Sequence, residues 1–423
     1  MARVEDELAE DYVKEYDQVN KSSSGHSINA LNLQMIFFGI SCVLFWSILL
    51  IQIPFIKDYF GGPSILFFIP LVYGLFSNIS RVFVLINHAR SRYSTGKKLA
   101  QLIYAGASIT AIGMCCIPVV MAGNGTTNPE IGFWLCLLIL AVVGSFNSLL
   151  VTGGFALMSI VPRGSGQFFL LGLTATGIVT WPFFMLLRYI ASVTVSAGSV
   201  DILVATVSLC ISATLCLCSI PVYRFLTSRH EALQPQLERS STDPDGRGLV
   251  QVFRAIWVPA LAMWFARVVT FALYPGLIGL YSPSSDASYS KSHYQSFLIY
   301  LGPLSDTVGQ LVYRYTNLRK IMGIKGMLIF TTTRAVVIVP VFLLSAWMDN
   351  SHESFIRQDW FRCLMMFGFS FSMGINYSAG NALAPLAVSS TDEKYIVGII
   401  LSFVAMNGLF VGSLVGVGLK QLF

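Results

Sequence analysis

Charge is scarce in this chain. Asp, Glu, Lys and Arg make up 11% of its 423 residues, where soluble domains carry about 25%, so a soluble globular protein is excluded. The net charge of +6 comes from basic residues scattered over short segments. They form no basic domain, and that disfavours nucleic acid as a partner. Eight cysteines are present, without a CxxC pair or a Cys/His spacing suited to zinc. They read as free thiols packed as small hydrophobes. Several catalytic and nucleotide-binding signatures are missing: no GxxxxGK[ST] for nucleotide phosphates, no HExxH, and no Asp/Asp or Ser/His constellation inside an apolar run. ATP coupling and a membrane-embedded enzyme are therefore disfavoured, and no cofactor is expected. Residues 1–31 are polar and acidic rather than apolar. The first span is thus expected to act as its own insertion signal.

What fills the chain is hydrophobic residue, 55% of the total. It is arranged in runs of about 20 residues, the length needed to cross a hydrocarbon core of about 30 Å as helix. The alternating ten-residue strands of a membrane barrel are absent from the pattern. The fold class is an all-α polytopic membrane protein with eleven transmembrane helices in a 6+5 arrangement. The first six spans are expected near 33–54, 64–87, 99–121, 131–160, 166–189 and 199–226. The last five are expected near 250–280, 294–313, 325–347, 360–386 and 395–420. This divides the chain into an acidic cytoplasmic tail (1–32), a six-helix bundle (33–226), a cytoplasmic loop (227–249) and a five-helix bundle (250–423). Eleven spans also argue against a seven-helix receptor.

Orientation follows from the distribution of Lys and Arg over short loops. With the N-terminus cytoplasmic, eighteen basic residues fall on the inner side and five on the outer. This puts the C-terminus outside, with the plasma membrane as the expected location. The sequon Asn124-Gly125-Thr126 then faces outward, making Asn124 a glycosylation candidate.

Of 21 acidic residues, Asp306 is the one placed squarely inside a span, in SFLIYLGPLSDTVGQLVYRY. A charge at mid-membrane costs about 2.5–3.5 kcal/mol on insertion scales unless it is paired or faces water. It therefore reads as a pathway residue. Arg81 and Arg188 also lie within or at the ends of spans, and Arg188 can snorkel to an interface. Arg267 and Arg334 lie deeper. For each, an ion pair with Asp306 and a place on a transport path both stay open, so they are grouped as packing or gating residues. Asn147, Thr152, Thr174, Thr176, Asn376, Asn381 and Asn407 are expected mainly to bridge helices. Asn376 and Ser372 are the ones favoured to touch a solute.

Two stretches resemble the equilibrative nucleoside transporter family. In FNSLLVTGGFALMSIVPRGSGQFFLLGLTATG, the family's serine–phenylalanine pair, proline and two later glycines match Ser145-Phe146, Pro162, Gly172 and Gly177. Small residues there let helices approach closely, and the proline ends a span. In the eighth span the family pattern of aspartate, two residues, glycine and arginine meets Asp306-Thr307-Val308-Gly309-Gln310. The aspartate is kept and the arginine is replaced by Gln310, which offers a donor and an acceptor but no charge. In the first span Trp46 survives from the family's Pro-Trp-Asn, flanked here by Phe45 and Ser47; Leu50 lies one turn on. Val151 stands where the family has a substrate-contacting glutamine. These departures identify the chain as a divergent member.

The resemblance implies a major-facilitator-like fold and alternating access about a central site. It implies transport of nucleosides and/or nucleobases, either facilitative or coupled to protons. Trp46, Leu50 and Val151 would form an apolar and aromatic wall, and Asp306, Gln310 and Asn376 would supply polar contacts. The expected partners are thus a small solute, protons in the coupled case, and the bilayer. The rival reading is a transporter of the same fold for another small solute, such as an organic cation drawn to Asp306.

Overall fold

The computed structural model describes residues 25–60, 65–90, 94–124, 128–161, 165–196, 199–229, 233, 237, 248–274, 276–284, 290–316, 318, 322–348, 355–388 and 390–419. The side chains at 25–29, 53–55, 57–59, 65–67, 88–90, 124 and 279–280 are excepted. Pro162, Gly125, Thr126 and most of the 227–249 loop lie outside the described residues. So do residues 1–24 of the tail and the side chain of Asn124.

Eleven long helices account for nearly everything described, and no strand occurs among the described residues. They are α1 (Gly25–Phe60), α2 (Ile65–Arg90), α3 (Thr95–Asn124), α4 (Pro129–Ile160), α5 (Gly166–Thr194) and α6 (Val200–Arg229). After the loop come α7 (Leu249–Leu273), α8 (Lys291–Tyr315), α9 (Ile324–Trp347), α10 (Asp359–Leu383) and α11 (Thr391–Leu419). Helix is the expected solution in lipid, because each segment satisfies its own backbone. Pro70, Pro118, Pro182, Pro221, Pro259 and Pro303 sit inside helices that continue past them.

The boundaries differ from the sequence expectation in three informative places. Helix α1 begins at Gly25, within the stretch assigned to the tail. The seventh span does not run to 280: α7 stops at Leu273, and a separate 3-10 turn forms at Leu277–Leu280, after Pro275 in the sequence. The ninth is interrupted by a π-turn at Arg334–Ile338. Pro340 follows directly, and its ring would clash with the carbonyl four residues back in a regular helix. A widened turn relieves that clash.

Nine of the described helices are long and apolar enough to cross a membrane. The two outside that set are α8 and α10, whose apolar faces are broken by residues such as Gln295, Ser305, Asp306, Gln310, Ser372 and Asn376. Those two helices pack tightly together. Large apolar side chains meanwhile point outward all around, among them Phe83, Val119, Val193 and Trp347, as a lipid-facing surface requires.

Packing is dense within each part of the chain. Helix α1 runs along α5 and α6, α3 lies between α4 and α6, and α2 lies on α4. Helix α7 packs on α10 and α11. Contacts between the two parts are concentrated where α11 lies against α2 and α4, and where α8 lies against α5. Glycines mark the closest approaches. A methyl on Gly172 would overlap the Ile36 carbonyl of α1, and one on Gly177 would overlap Pro303 of α8.

Candidate functional site

A cavity of about 130 Å³ lies between the two parts of the chain. Its first wall comes from α1, α2, α4 and α5, with Trp46, Leu50, Tyr73, Val151, Phe155 and Thr174. Its second wall comes from α7, α8, α10 and α11, with Arg267, Thr270, Tyr274, Asp306, Tyr377 and Met406.

The first wall is aromatic. Trp46 stacks on Tyr73 with ring centroids 4.4 Å apart and planes 21° apart. The Tyr73 hydroxyl accepts a hydrogen bond of 2.8 Å from Asn147 Nδ2, which fixes the ring. Below them Phe155 meets Tyr377 of the opposite wall edge-on at 6.4 Å. Two tyrosines of this site, Tyr73 and Tyr377, were not singled out from sequence. The available signal was a hydroxyl-tipped ring inside an apolar run, which needs a partner when buried.

The second wall carries the charge. Asp306 accepts a 3.3 Å hydrogen bond from Gln310 Nε2, one helical turn on. No basic group among the described residues stands within ion-pairing distance of it. Arg334 is fully committed elsewhere. Its Nε donates to Ser372 Oγ (3.1 Å), one terminal nitrogen to the Ala266 carbonyl (2.8 Å), and the other to Thr270 Oγ1 (2.7 Å) and the Phe369 carbonyl (3.5 Å). Arg334 thereby ties α7, α9 and α10 together behind the cavity. Arg267 is its opposite: it lines the cavity, lies 4.2 Å over the Tyr377 ring and bonds that tyrosine, and its Nε has no acceptor among the described residues.

The polar residues expected from sequence divide between cavity and scaffold. Trp46, Leu50, Val151, Asp306 and Arg267 line the cavity. Gln310 does not line it and reaches it only through Asp306. Asn376 does not line it either: it is buried, and its Nδ2 donates to Thr331 Oγ1 of α9 at 2.6 Å. Ser372 is the acceptor for Arg334. Of the other intramembrane amides and hydroxyls, several join helices, as with Ser47 to Thr176 and Trp264 to Asn407, while many bond a carbonyl one turn back in their own helix, as with Thr174 and Asn381.

Arg81 forms a second polar junction away from the cavity. It is fully buried, and its Nε donates to Ser402 Oγ of α11 at 2.9 Å. Ser402 also pairs with Thr152 of α4 at 3.1 Å. Asn78 adds a bond from Nδ2 to the Met406 carbonyl at 3.1 Å. Together these bonds fasten α2 and α4 to α11.

No protein-family model matches the chain, and no curated protein does. Solved structures do. The major facilitator superfamily proton:xylose symporter XylE bound to 6-bromo-6-deoxy-D-glucose aligns at TM-score 0.62 and 11% identity, covering 95% of this chain and 90% of that one. XylE from E. coli in a partially occluded inward-open conformation aligns at 0.54 and 12%, covering 94% and 96%. A bacterial homologue of the human lysosomal transporter Spinster aligns at 0.51 and 13%, covering 92% and 82%. The chain therefore shares the major facilitator fold. None of these similarities points specifically to equilibrative nucleoside transporters.

Proposed function

We propose that this protein carries nucleosides and/or nucleobases across a membrane by alternating access. The observation that supports the reading is the composition of the central cavity: a stacked Trp46–Tyr73 pair on one wall faces the Asp306 carboxylate on the other. A planar, polar-edged solute needs both an aromatic face and a few convergent polar groups. The two walls belong to the first six and the last five helices, which we take as the two bundles that rock about the site. The plasma membrane and a cytoplasmic N-terminus complete the proposal, on the charge distribution described above.

An organic cation fits less well. Asp306 would attract one, but the guanidinium of Arg267 lines the same cavity and would repel it. Arg334 adds a second positive charge behind the wall.

The test is uptake of labelled inosine and hypoxanthine in cells deficient in purine import, at two external pH values, with serotonin as the competing cation. Purine uptake is expected, with little inhibition by serotonin. A rise at acidic external pH that Asp306→Asn abolishes would assign proton coupling. Near-normal flux in a well-expressed Asp306→Asn variant would remove Asp306 from the mechanism. If neither purine nor pyrimidine nucleosides and bases move or compete, the nucleoside reading is wrong.

A further inference from the structure

Two charged groups in the cavity have unused hydrogen-bonding capacity of opposite kind. The Arg267 guanidinium bonds Tyr377, and its Nε, sealed from solvent, has no hydrogen-bond partner among the described residues. Asp306 spends only Oδ1, on Gln310, and Oδ2 has no partner among the described residues. The two line one cavity yet form no contact ion pair. A guanidinium and a carboxylate held close but apart leave room for a group that accepts from the first and donates to the second. Unsatisfied polar groups in an apolar interior are costly, and a solute that satisfies both recovers that cost.

Resting on the nucleoside and nucleobase transport reading, we propose that the cavity selects 6-oxopurines over 6-aminopurines, with Arg267 as the specificity-determining residue. Along one edge a 6-oxopurine presents N7 and O6 as acceptors and then N1–H as a donor. The guanidinium fork matches O6 and N7, the pairing Arg makes with guanine in nucleic acids. Asp306 Oδ2 accepts from N1–H. A 6-aminopurine is wrong at both points: its amino group turns donors toward Arg267, and its unprotonated N1 turns a lone pair toward the carboxylate. The cavity-lining Trp46–Tyr73 pair takes the ring plane. Hypoxanthine, guanine and their nucleosides are the class this arrangement fits.

The experiment compares uptake of labelled hypoxanthine and adenine by the wild-type chain and by Arg267→Gln, normalised to protein in the membrane. The wild type is expected to prefer hypoxanthine by about tenfold or more, the range of one bidentate pair. Glutamine pairs with the amino group and N7 of adenine instead, so Arg267→Gln should shift the ratio toward adenine by a similar factor. An unchanged ratio in the variant overturns the proposal, as does a wild-type ratio near one with both bases carried. If the wild type carries neither base and neither of their nucleosides, inosine and adenosine, the transport reading itself has failed and this proposal goes with it. A second measurement needs no variant: competition by 7-deazahypoxanthine, which lacks the N7 acceptor. It should be about fivefold weaker than hypoxanthine or more, and equal potency overturns the forked contact.

Discussion

Gln310 donates to Asp306 across one turn of α8, Nε2 to Oδ1 at 3.3 Å. In the family pattern that position holds a positive charge; here a neutral amide orients the carboxylate and leaves its charge in place. Replacing Gln310 by Leu removes the only donor to that oxygen among the described residues. The expected cost is about 1–3 kcal/mol, that of a buried group losing its partner. It would be read as a lowered melting temperature of the detergent-purified protein. An unchanged melting point would mean that the amide contributes nothing to the folded state.

The two deep arginines should respond in opposite ways to the same change. Arg334→Gln strips four acceptors on two helices of their donor, and such hydrogen bonds from a charged group are worth about 1.5–3 kcal/mol each. Poor membrane expression and a broadened size-exclusion peak are expected. Arg267→Gln loses ring contacts, worth about 0.5–2 kcal/mol, and one bond to Tyr377, and should fold while its transport changes. Equal damage from the two would contradict this division of labour.

Close helix contacts predict a graded glycine series. Gly374→Ala and Gly177→Ala place a methyl into the Asp306 carbonyl and into Pro303 respectively. Overpacking of this kind costs about 1–3 kcal/mol. Gly123→Ala meets nothing within 4 Å and should be neutral or slightly stabilising. Thermal unfolding of the three variants side by side decides it.

Trp46→Leu keeps bulk but removes the ring that stacks on Tyr73. Such pairs contribute about 0.5–1.5 kcal/mol beyond area burial. The expected result is a KM for the transported purine raised by about tenfold, with Trp46→Phe in between. Initial-rate uptake over a concentration series gives the answer, and an unchanged KM would take the stack out of the solute site.

Much of the architecture was legible in sequence because lipid leaves few options. Twenty apolar residues in a row have to become helix, and eleven such runs were readable even in α8 and α10, the least apolar of them. The cavity was legible in part. Asp306 stood out because an acid inside an apolar run is rare, and Trp46 and Val151 came from the family pattern. What sequence could not supply was azimuth. Asn376 and Asp306 are both polar residues in the middle of a span, yet one turns to Thr331 and the other to the cavity. Which way each faces depends on the packing of α9, α10 and α7, and no local pattern encodes that. Arg267 and Arg334 look alike for the same reason, until one is seen with four acceptors behind the wall and the other facing the cavity with its Nε unpartnered among the described residues.

The backbone contact between α8 and α10 has a mechanical meaning. A side chain on Gly309 would run into the Phe371 carbonyl, and one on Gly374 into that of Asp306. With no side chain between them to act as a bearing, the two helices cannot slide past each other without rupturing the contact. They are expected to travel as one lever, with Asp306 on one limb and Tyr377, three residues past Gly374, on the other. Motion that exposes the carboxylate to one side of the membrane then carries the aromatic shelf beneath Arg267 along with it.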